Sequence, residues 1–330
     1  MRIASSPLTL ESNPAMKAIR IHAYGGPEVL RYEDAPDPQP AADELLVRIH
    51  AASVNPVDWK VREGHLQRFL KHRLPLILGW DVAGEVVSAG AAVTGWSKGD
   101  AVYARPDLAR DGSYAEFMVL RATEAAPMPK SLDFTHAAAV PLAALTAWQS
   151  LFDAAGLTAG QRVLIHAGAG GVGAFAVQLA HHKGAHVIAT ASQRNAAFIR
   201  DLGADEVIDY HTTRFEEAVH DLDVVFDTVG GDVQDRSWST LRRGGFLVSI
   251  VRGPAQEVAA QHGVRAQYVF VQPNSAQLRE IGALIDGGKI SVTVETVLPL
   301  AEAAEAQKRS AEGHTRGKIV LRVREGGGRE

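Results

Sequence analysis

Residues 166–173 read HAGAGGVG, with four glycines in eight positions, directly after the apolar run at 162–165. So much backbone freedom at one point suits either a turn or a main chain that a ligand approaches closely. The preceding run is short and apolar, which is typical of a buried strand, and the apolar residues that follow are at helical spacing. The stretch therefore predicts a strand, a glycine-rich turn and a helix, in that order.

The pattern that begins here continues along the middle of the chain. Short apolar segments alternate with segments long enough for a helix, and the predicted strands are 163–167, 186–191, 206–209, 223–229, 245–251 and 266–271. Strands separated by helices are joined by crossover connections and pair in parallel. The sequence therefore predicts an α/β fold with a mostly parallel, doubly wound sheet.

Length and composition narrow the remaining possibilities. The chain has 330 residues, and single cores stop growing near ~250–300 residues, so about two domains are expected. It has no cysteine, which excludes disulfides, thiolate nucleophiles and cysteine-ligated metals. A net charge of −4 argues against a broad surface for nucleic acid or anionic membranes. We expect a cytoplasmic protein with neither a nucleic-acid nor a membrane partner.

The flanking segments differ from the middle of the chain. Residues 1–15 are polar, do not resemble a secretory signal, and are predicted to be a loose amino-terminal extension. Segments 16–135 and 286–330 carry short strand-like runs interrupted by Gly and Pro. We predict that these two segments form one β-rich domain and that residues 136–285 form the doubly wound domain.

The glycine-rich turn matches a binding motif. Residues 168–173 fit G-x-G-x-x-G between a predicted strand and a predicted helix, which is the dinucleotide-binding arrangement. In that arrangement Gly168 makes the tight turn, Gly170 leaves room for a pyrophosphate, and Gly173 lets helix and strand pack closely. The N–H groups at the helix start would face the phosphates. The alternative is a turn without function.

The end of the second predicted strand indicates which dinucleotide binds. Enzymes that use NAD normally carry an acid about 20 residues beyond the glycines, where it binds the ribose 2′-hydroxyl. Here the strand is followed by Ser192 and Arg194 with no carboxylate, and a hydroxyl and a guanidinium suit a 2′-phosphate. NADPH is the predicted cofactor, unless Arg194 is only a solvated residue at a helix start.

From residue 16 onward the chain carries a series of short motifs: VNPVD (54–58), LGWDVAGE (78–85), GSYAE (112–116), LTA (145–147), AGAGGVG (167–173), FDTVG (226–230) and GKIV (317–320). Their order along the chain is far more specific than any one of them. With these motifs the chain resembles the zinc-free medium-chain dehydrogenases/reductases of the quinone oxidoreductase, or enone reductase, type. The resemblance implies a GroES-like catalytic domain, a Rossmann domain and a cofactor in the cleft between them.

The resemblance also implies site residues. Ser192, Arg194 and Tyr210 would surround the 2′-phosphate. The remaining cofactor-binding residues would be Thr146, Gly168, Gly170, Gly171, Val172, Gly173, Asp227, Thr228, Ser249, Phe270, Val271, Gly317 and Lys318. For Lys318 the alternative is an ordinary surface charge.

The same comparison predicts no metal site. Zinc-dependent relatives carry a Cys where this chain has Asn55, and a His where it has Trp80. Asn and Trp are not useful zinc ligands. His182 and His186 are spaced i, i+4, but Gly184 between them predicts a helix end rather than a ligand pair.

Without a metal, the favoured chemistry is NADPH-dependent reduction of a quinone or an α,β-unsaturated carbonyl compound. Alcohol oxidation would need a Lewis acid or a Tyr–Lys pair, and no tyrosine has a lysine four residues later. Asn55 is the candidate contact for the substrate carbonyl or the nicotinamide ribose, with an Asn-Pro turn as the alternative. His65 is the candidate proton donor, with an exposed histidine and protonation by water as the alternative.

Three further expectations remain open at this point. The chain is an enzyme, or else an NADPH-binding regulatory or nucleic-acid-binding protein with little catalytic activity. An exposed strand of the parallel sheet would suit a homodimer. Trp59, Trp80 and Tyr114 either wall an apolar pocket or belong to the core.

Overall fold

The computed structural model describes residues 15–324. The predicted extension therefore lies outside the described residues except for Ala15, which opens the first strand. Residues 325–330 of the predicted carboxy-terminal segment also lie outside them. Within the described part, no helix is both long and apolar enough to cross a bilayer.

The amino-terminal lobe is built mainly of strands. They are β1 (Ala15–Ile21), β2 (Leu30–Pro36), β3 (Glu44–Val54), β4 (Leu76–Ile77), β5 (Val82–Ala89), β6 (Ala101–Ala104), β7 (Phe117–Arg121) and β8 (Ala125–Pro127), with helix α1 (Pro56–Arg62) after β3. β1 pairs with β2 and β4, and β3 pairs antiparallel with β5 and β7. The inward-facing Leu45, Val47 and Ile49 of β3 are fully buried, as period-two alternation requires.

The middle of the chain alternates helices and strands. Its elements are α2 (Phe134–Ala138), α3 (Pro141–Trp148), β9 (Arg162–Ile165), α4 (Gly171–His182), β10 (His186–Ala191), α5 (Ala196–Asp201), β11 (Glu206–Asp209), α6 (Phe215–Ala218), β12 (Leu222–Asp227), α7 (Gly231–Ser237), β13 (Leu241–Ser249), α8 (Gln256–His262), β14 (Arg265–Tyr268) and α9 (Ser275–Asp286).

These strands form the predicted doubly wound sheet. The order is β11-β10-β9-β12-β13-β14 and every pairing is parallel, which confirms the Rossmann architecture. Val163, Leu164 and Ile165 of β9 are fully buried because helices cover both faces of the sheet. The strand order reverses between β9 and β12. A crevice opens there at the carboxyl ends of the strands, which is where ligands bind in such sheets.

The carboxy-terminal elements rejoin the amino-terminal lobe. They are β15 (Val294–Pro299), α10 (Ala303–Glu312) and β16 (Lys318–Arg322). β16 pairs antiparallel with β3 and parallel with β15, which completes a sheet with the order β15-β16-β3-β5-β6-β8. The loop before β16 reaches the glycine-rich turn, where Gly317 N–H donates to the Ala169 carbonyl over 2.8 Å. The crevice is therefore bounded by both lobes.

Candidate active site

The glycine-rich turn contains Gly168, as the sequence predicts. Gly170 N–H donates to the Ala167 carbonyl over 3.0 Å and closes the turn around Gly168. The left-handed φ of the turn belongs to Ala167 (50°). A Cβ on Gly168 would lie 2.9 Å from the Ala189 Cβ and 3.4 Å from Ile199 Cδ1. The missing side chain of Gly168 therefore also lets the turn pack against β10 and α5.

The two other motif glycines have distinct surroundings. A Cβ on Gly173 would lie 2.2 Å from the Ala167 carbonyl oxygen and 2.9 Å from Gly168 Cα, so this glycine permits the close contact between helix and turn. A Cβ on Gly170 would meet only the Ala167 oxygen, at 3.3 Å. Gly170 therefore faces open space at the start of α4, where the first N–H groups of a helix have no partner within it.

Open space runs from this turn toward the amino-terminal lobe. We call it the glycine-loop cleft; it has a volume of about 240 Å³. It is lined by Val54, Asn55, Pro56, Ala143, Ala167, Gly170, Gly171, Val172, Gly173, Thr228, Ile250, Ser310, Gly313, Thr315, Gly317, Lys318 and Ile319. Several of the predicted cofactor residues thus lie together on one surface.

A second space, which we call the apolar cavity, opens beside the first. Its volume is about 200 Å³. It is lined by Asn55, Pro56, Val57, Lys60, Leu66, Arg105, Leu108, Leu142, Thr146, Val172, Thr228, Ile250, Val251, Tyr268, Val269, Phe270 and Val271. The cleft and the cavity share Asn55, Pro56, Val172, Thr228 and Ile250. A ligand lying along the cleft would meet a molecule in the cavity at these residues.

A buried polar cluster lies under the junction. Lys318 is 4% exposed, so the surface-charge alternative is wrong. Its Nζ donates to the Val54 carbonyl over 3.0 Å and to Asn55 Oδ1, and it lies 3.6 Å from Asp81 Oδ2. Burial lowers the pKa of Lys318, and the Asp81 carboxylate opposes this effect.

Asp81 holds the other side of this cluster. Its Oδ2 accepts from Ser53 Oγ at 2.5 Å and Asn55 Nδ2 at 2.7 Å, and its Oδ1 accepts from Leu142 N at 2.6 Å. Burial raises the pKa of Asp81, while Lys318 and the three donors lower it. With these donors and the ammonium on it, we describe the group as a carboxylate paired with Lys318.

The cluster fixes the orientation of the Asn55 amide. Lys318 can only donate and the Asp81 carboxylate can only accept, so Oδ1 must face Lys318 and Nδ2 must face Asp81. An amide nitrogen carries two hydrogens, and Asp81 takes one of them. The second N–H is left for a group at the junction of cleft and cavity.

Asp58 is a second buried carboxyl group next to this cluster. Its Oδ2 accepts from Asn55 N at 2.8 Å and from the Tyr114 hydroxyl at 2.7 Å. Burial raises its pKa to about 7, with a smaller contribution from the charge of Asp81. Folded and unfolded chains therefore bind different numbers of protons below neutrality.

Replacing Asp58 with asparagine is expected to change how stability depends on pH. The pKa is 3.8 without the protein environment and about 7 when folded, so between these values the folded state holds one more proton than the unfolded state. This extra proton makes the free energy of unfolding fall as pH rises through the window, by up to roughly 1.4 kcal/mol per pH unit. The fall ends above the folded pKa.

Urea unfolding of wild type and D58N between pH 4 and pH 8 measures this contribution. The variant should lose this part of the decrease because its amide does not titrate. The exposed Asp201, changed to asparagine, is the control and should keep the wild-type slope. Equal slopes for wild type and D58N would contradict the assignment.

The predicted 2′-phosphate residues line neither space and lie together after the carboxyl ends of two neighbouring strands. Ser192 and Arg194 follow β10, and Tyr210 follows the neighbouring strand β11. Arg194 Nη2 donates to the His314 carbonyl at 3.3 Å, in the loop before β16. Arg316, from the same loop, donates to Asn195 Oδ1 at 3.0 Å and lies over the Phe198 ring. Arg316 was missed in the sequence analysis, although it directly precedes the GKIV motif.

Some predicted site residues lie elsewhere. Asp227 and Ser249 are fully buried and line neither space. The Asp227 carboxylate accepts from Val229 N, Gly230 N, Gln234 Nε2 and Ser249 Oγ, so it shapes the turn that presents Thr228. The expected contact of Asp227 and Ser249 with the cofactor is replaced by this supporting role.

The structure does not bring His65 to the junction. Its side chain is 59% exposed, with Nε2 3.7 Å from Glu63, and it lines neither space. Trp80 and Tyr114 are fully buried core residues rather than pocket walls, and Trp59 lines neither space. Thr146, Phe270 and Val271, which were predicted to contact the cofactor, line the apolar cavity rather than the glycine-loop cleft, and their contact with the cofactor stays a prediction.

Comparison with known proteins identifies the family. Residues 41–130 match the family described as alcohol dehydrogenase GroES-like domain, and residues 202–321 match the family described as zinc-binding dehydrogenase. A chloroplastic quinone-oxidoreductase homologue of Spinacia oleracea is 34% identical over 322 residues, which cover 93% of this chain and 98% of that protein. The chain belongs to the medium-chain dehydrogenase/reductase family.

Other members of the medium-chain dehydrogenase/reductase family agree with this assignment. The chloroplastic NADPH-dependent alkenal/one oxidoreductase of Arabidopsis thaliana is 34% identical over 317 residues, which cover 93% of this chain and 79% of that protein. The solved structure of the quinone oxidoreductase from Coxiella burnetii has a TM-score of 0.88 and 38% identity, covering 94% of this chain and 100% of that chain. The resemblance and the GroES-like and Rossmann folds are thereby confirmed. This family member is an oxidoreductase that uses a nicotinamide cofactor.

One of the two family descriptions names zinc, but the side chains that this protein has at the corresponding positions do not suit a zinc ion. The family position of a Cys ligand holds Asn55, whose oxygen accepts from Lys318, and the adjacent Asp81 pairs with the same ammonium. A divalent ion there would face a buried positive charge. In residues 15–324, no group of three or more His, Asp or Glu side chains is arranged to hold a metal.

Proposed function

We propose that this chain is an NADPH-dependent, metal-independent oxidoreductase that reduces a quinone or an α,β-unsaturated carbonyl compound. The observation that carries the proposal is the junction of the two spaces at Asn55, Val172 and Thr228. One space has a dinucleotide-binding turn, and the other is a mainly apolar cavity of small-molecule size.

The residues of the glycine-loop cleft fit a dinucleotide. Gly170 leaves the start of α4 open to a pyrophosphate, and Ser310 and Thr315 place hydroxyl groups along the same cleft. Arg194 and Arg316 supply two cations near Ser192 for a 2′-phosphate, which favours NADPH over NADH. When bound, the nicotinamide supplies a hydride, which is the chemistry that the protein itself lacks.

At the junction, the protein orients the substrate and stabilises charge. The free Nδ2 hydrogen of Asn55 is available to a carbonyl oxygen, which becomes more negative as the hydride is added. The Lys318–Asp81 pair holds this amide in place from below. Reduction adds one hydride and one proton across the double bond. We assign the proton to water, because His65 lies outside the cavity.

Turnover and metal content test this proposal together. We expect purified protein to oxidise NADPH in the presence of quinones or enones, to contain far less than one zinc ion per chain, and to keep its rate in a chelator. Stoichiometric zinc with chelator-sensitive turnover would refute metal independence. Cofactor binding without turnover of any quinone or enone would instead favour a regulatory protein.

The predicted homodimer and cytoplasmic location stay predictions. β14 is the last strand of the parallel sheet, and its outer edge has no partner within residues 15–324, so it is the surface on which we place a dimer contact.

A further inference from the structure

The apolar cavity contains a buried arginine whose role the proposed function does not explain. Arg105 follows β6 and is 2% exposed, and its Nε has no hydrogen-bond partner within residues 15–324. Burial lowers its pKa to about 10, so the guanidinium stays charged near neutrality. Burying a charge without a partner is costly, which indicates that the partner comes from outside the chain.

The acidic residues around Arg105 form ion pairs with other cations. Asp81, Asp107 and Glu124 influence Arg105 through space. Asp81 pairs with Lys318, while Arg121 Nη1 lies 3.2 Å from both Asp107 Oδ2 and Glu124 Oε1. These acids keep the guanidinium protonated without forming its ion pair.

The rest of the apolar cavity also carries positive rather than negative charge. Among residues 15–324 its lining includes a second cation, Lys60, and no Asp or Glu, and the remaining side chains are mainly apolar. Burial also lowers the pKa of Lys60. An apolar cavity with two cations and no acid is complementary to a substrate that is partly apolar and carries a negative charge.

We propose that the substrate is an α,β-unsaturated carbonyl compound that also carries a carboxylate, and that Arg105 binds this carboxylate. The planar guanidinium matches a carboxylate in two parallel hydrogen bonds, which an ammonium does not offer. The reducible double bond then lies toward Asn55, at the junction with the glycine-loop cleft. The carboxylate is not altered in the reaction. This inference rests on the proposed enone reductase function.

A matched pair of substrates separates binding of the carboxylate from reduction of the double bond. The probes are 4-oxopent-2-enoate and its methyl ester, which share the reducible bond and differ in charge. We expect wild type to prefer the acid in kcat/KM. R105M should lower the ratio of acid to ester kcat/KM by roughly ten- to a hundred-fold, because it removes the charge-assisted hydrogen bonds to the carboxylate. R105K keeps the positive charge and should restore part of the ratio.

R121M is the matched control. It removes a cation close to the same acids, but Arg121 is 47% exposed and does not line the cavity, so the ratio should stay at the wild-type value. The acid should also raise the Tm of wild type and R121M, and raise that of R105M less. Arg105 forms no ion pair with any group in the described part of the chain, so R105M should itself remain folded.

Four results would overturn the inference. Wild type without a preference for the acid, or kcat/KM values in R105M that are unchanged for both substrates, would show that Arg105 does not bind the carboxylate. Equal loss with both substrates would assign Arg105 to the carbonyl or to the fold. A raised KM for NADPH would assign it to the cofactor. Failure of wild type to reduce any enone or quinone would instead refute the underlying proposed function.

Discussion

Replacing Gly170 with valine is expected to abolish measurable NADPH binding while the protein stays folded. The backbone of Gly170 (φ −72°, ψ 172°) is extended and open to any residue. A Cβ there would have one close neighbour, the Ala167 oxygen at 3.3 Å, a tight contact that a small backbone shift relieves. The branched side chain would fill the space of the glycine-loop cleft at the start of α4, where a pyrophosphate would approach.

Fluorescence titration with NADPH and thermal unfolding of G170V measure the two parts of this prediction. The matched control is G173V, in which the Cβ would lie 2.2 Å from the Ala167 oxygen. G173V should lower Tm strongly, because helix and turn must separate, whereas G170V should not. Unchanged NADPH affinity in G170V would mean that HAGAGGVG is only a turn.

The doubly wound sheet is the part of the fold that the sequence predicts most directly. Its central strands contain short apolar runs, because both faces are covered there, and runs such as 163–165 and 224–226 stand out between polar helical segments. The roles of the individual residues of the glycine-rich turn are harder to predict from the sequence. Motif spacing places Gly168 in the turn, but it does not show that Ala167 is the left-handed residue. Nor does it show that a side chain on Gly168 would collide with Ala189 of the next strand.

What sequence reasoning missed are mainly the contacts of site residues between distant segments of the chain. Asn55 and Lys318 are 263 residues apart, and their hydrogen bond forms only because β16 pairs with β3. Arg105 looks like an ordinary charged residue after a strand, and only its burial beside the cavity distinguishes it. For Asp227 the motif was recognised, but its hydrogen bonds to Ser249 and Gln234 show a supporting role that no local pattern reveals.

The preference for NADPH is expected to depend on two arginines from different lobes. Arg194 follows β10 and Arg316 precedes β16, and their hydrogen bonds to His314 and Asn195 hold the two segments together near Ser192. A 2′-phosphate placed between two guanidinium groups receives charge-assisted hydrogen bonds from both, each typically worth about 1.5–3 kcal/mol.

The double variant R194A/R316A should therefore weaken NADPH by roughly 10²- to 10⁴-fold, since about 1.4 kcal/mol corresponds to a factor of ten. Each single variant should lose about ten- to a hundred-fold by the same conversion. The KM for NADH should change little because NADH has no phosphate there, and S192D should shift the preference further toward NADH by repelling the phosphate.

R200A is the control, an exposed arginine on α5 that lines neither space, and it should leave both cofactors unaffected. The measurement is kcat/KM for both cofactors in every variant. A wild type that prefers NADH, or equal losses for the two cofactors in the double variant, would show that this end of the crevice does not recognise the phosphate.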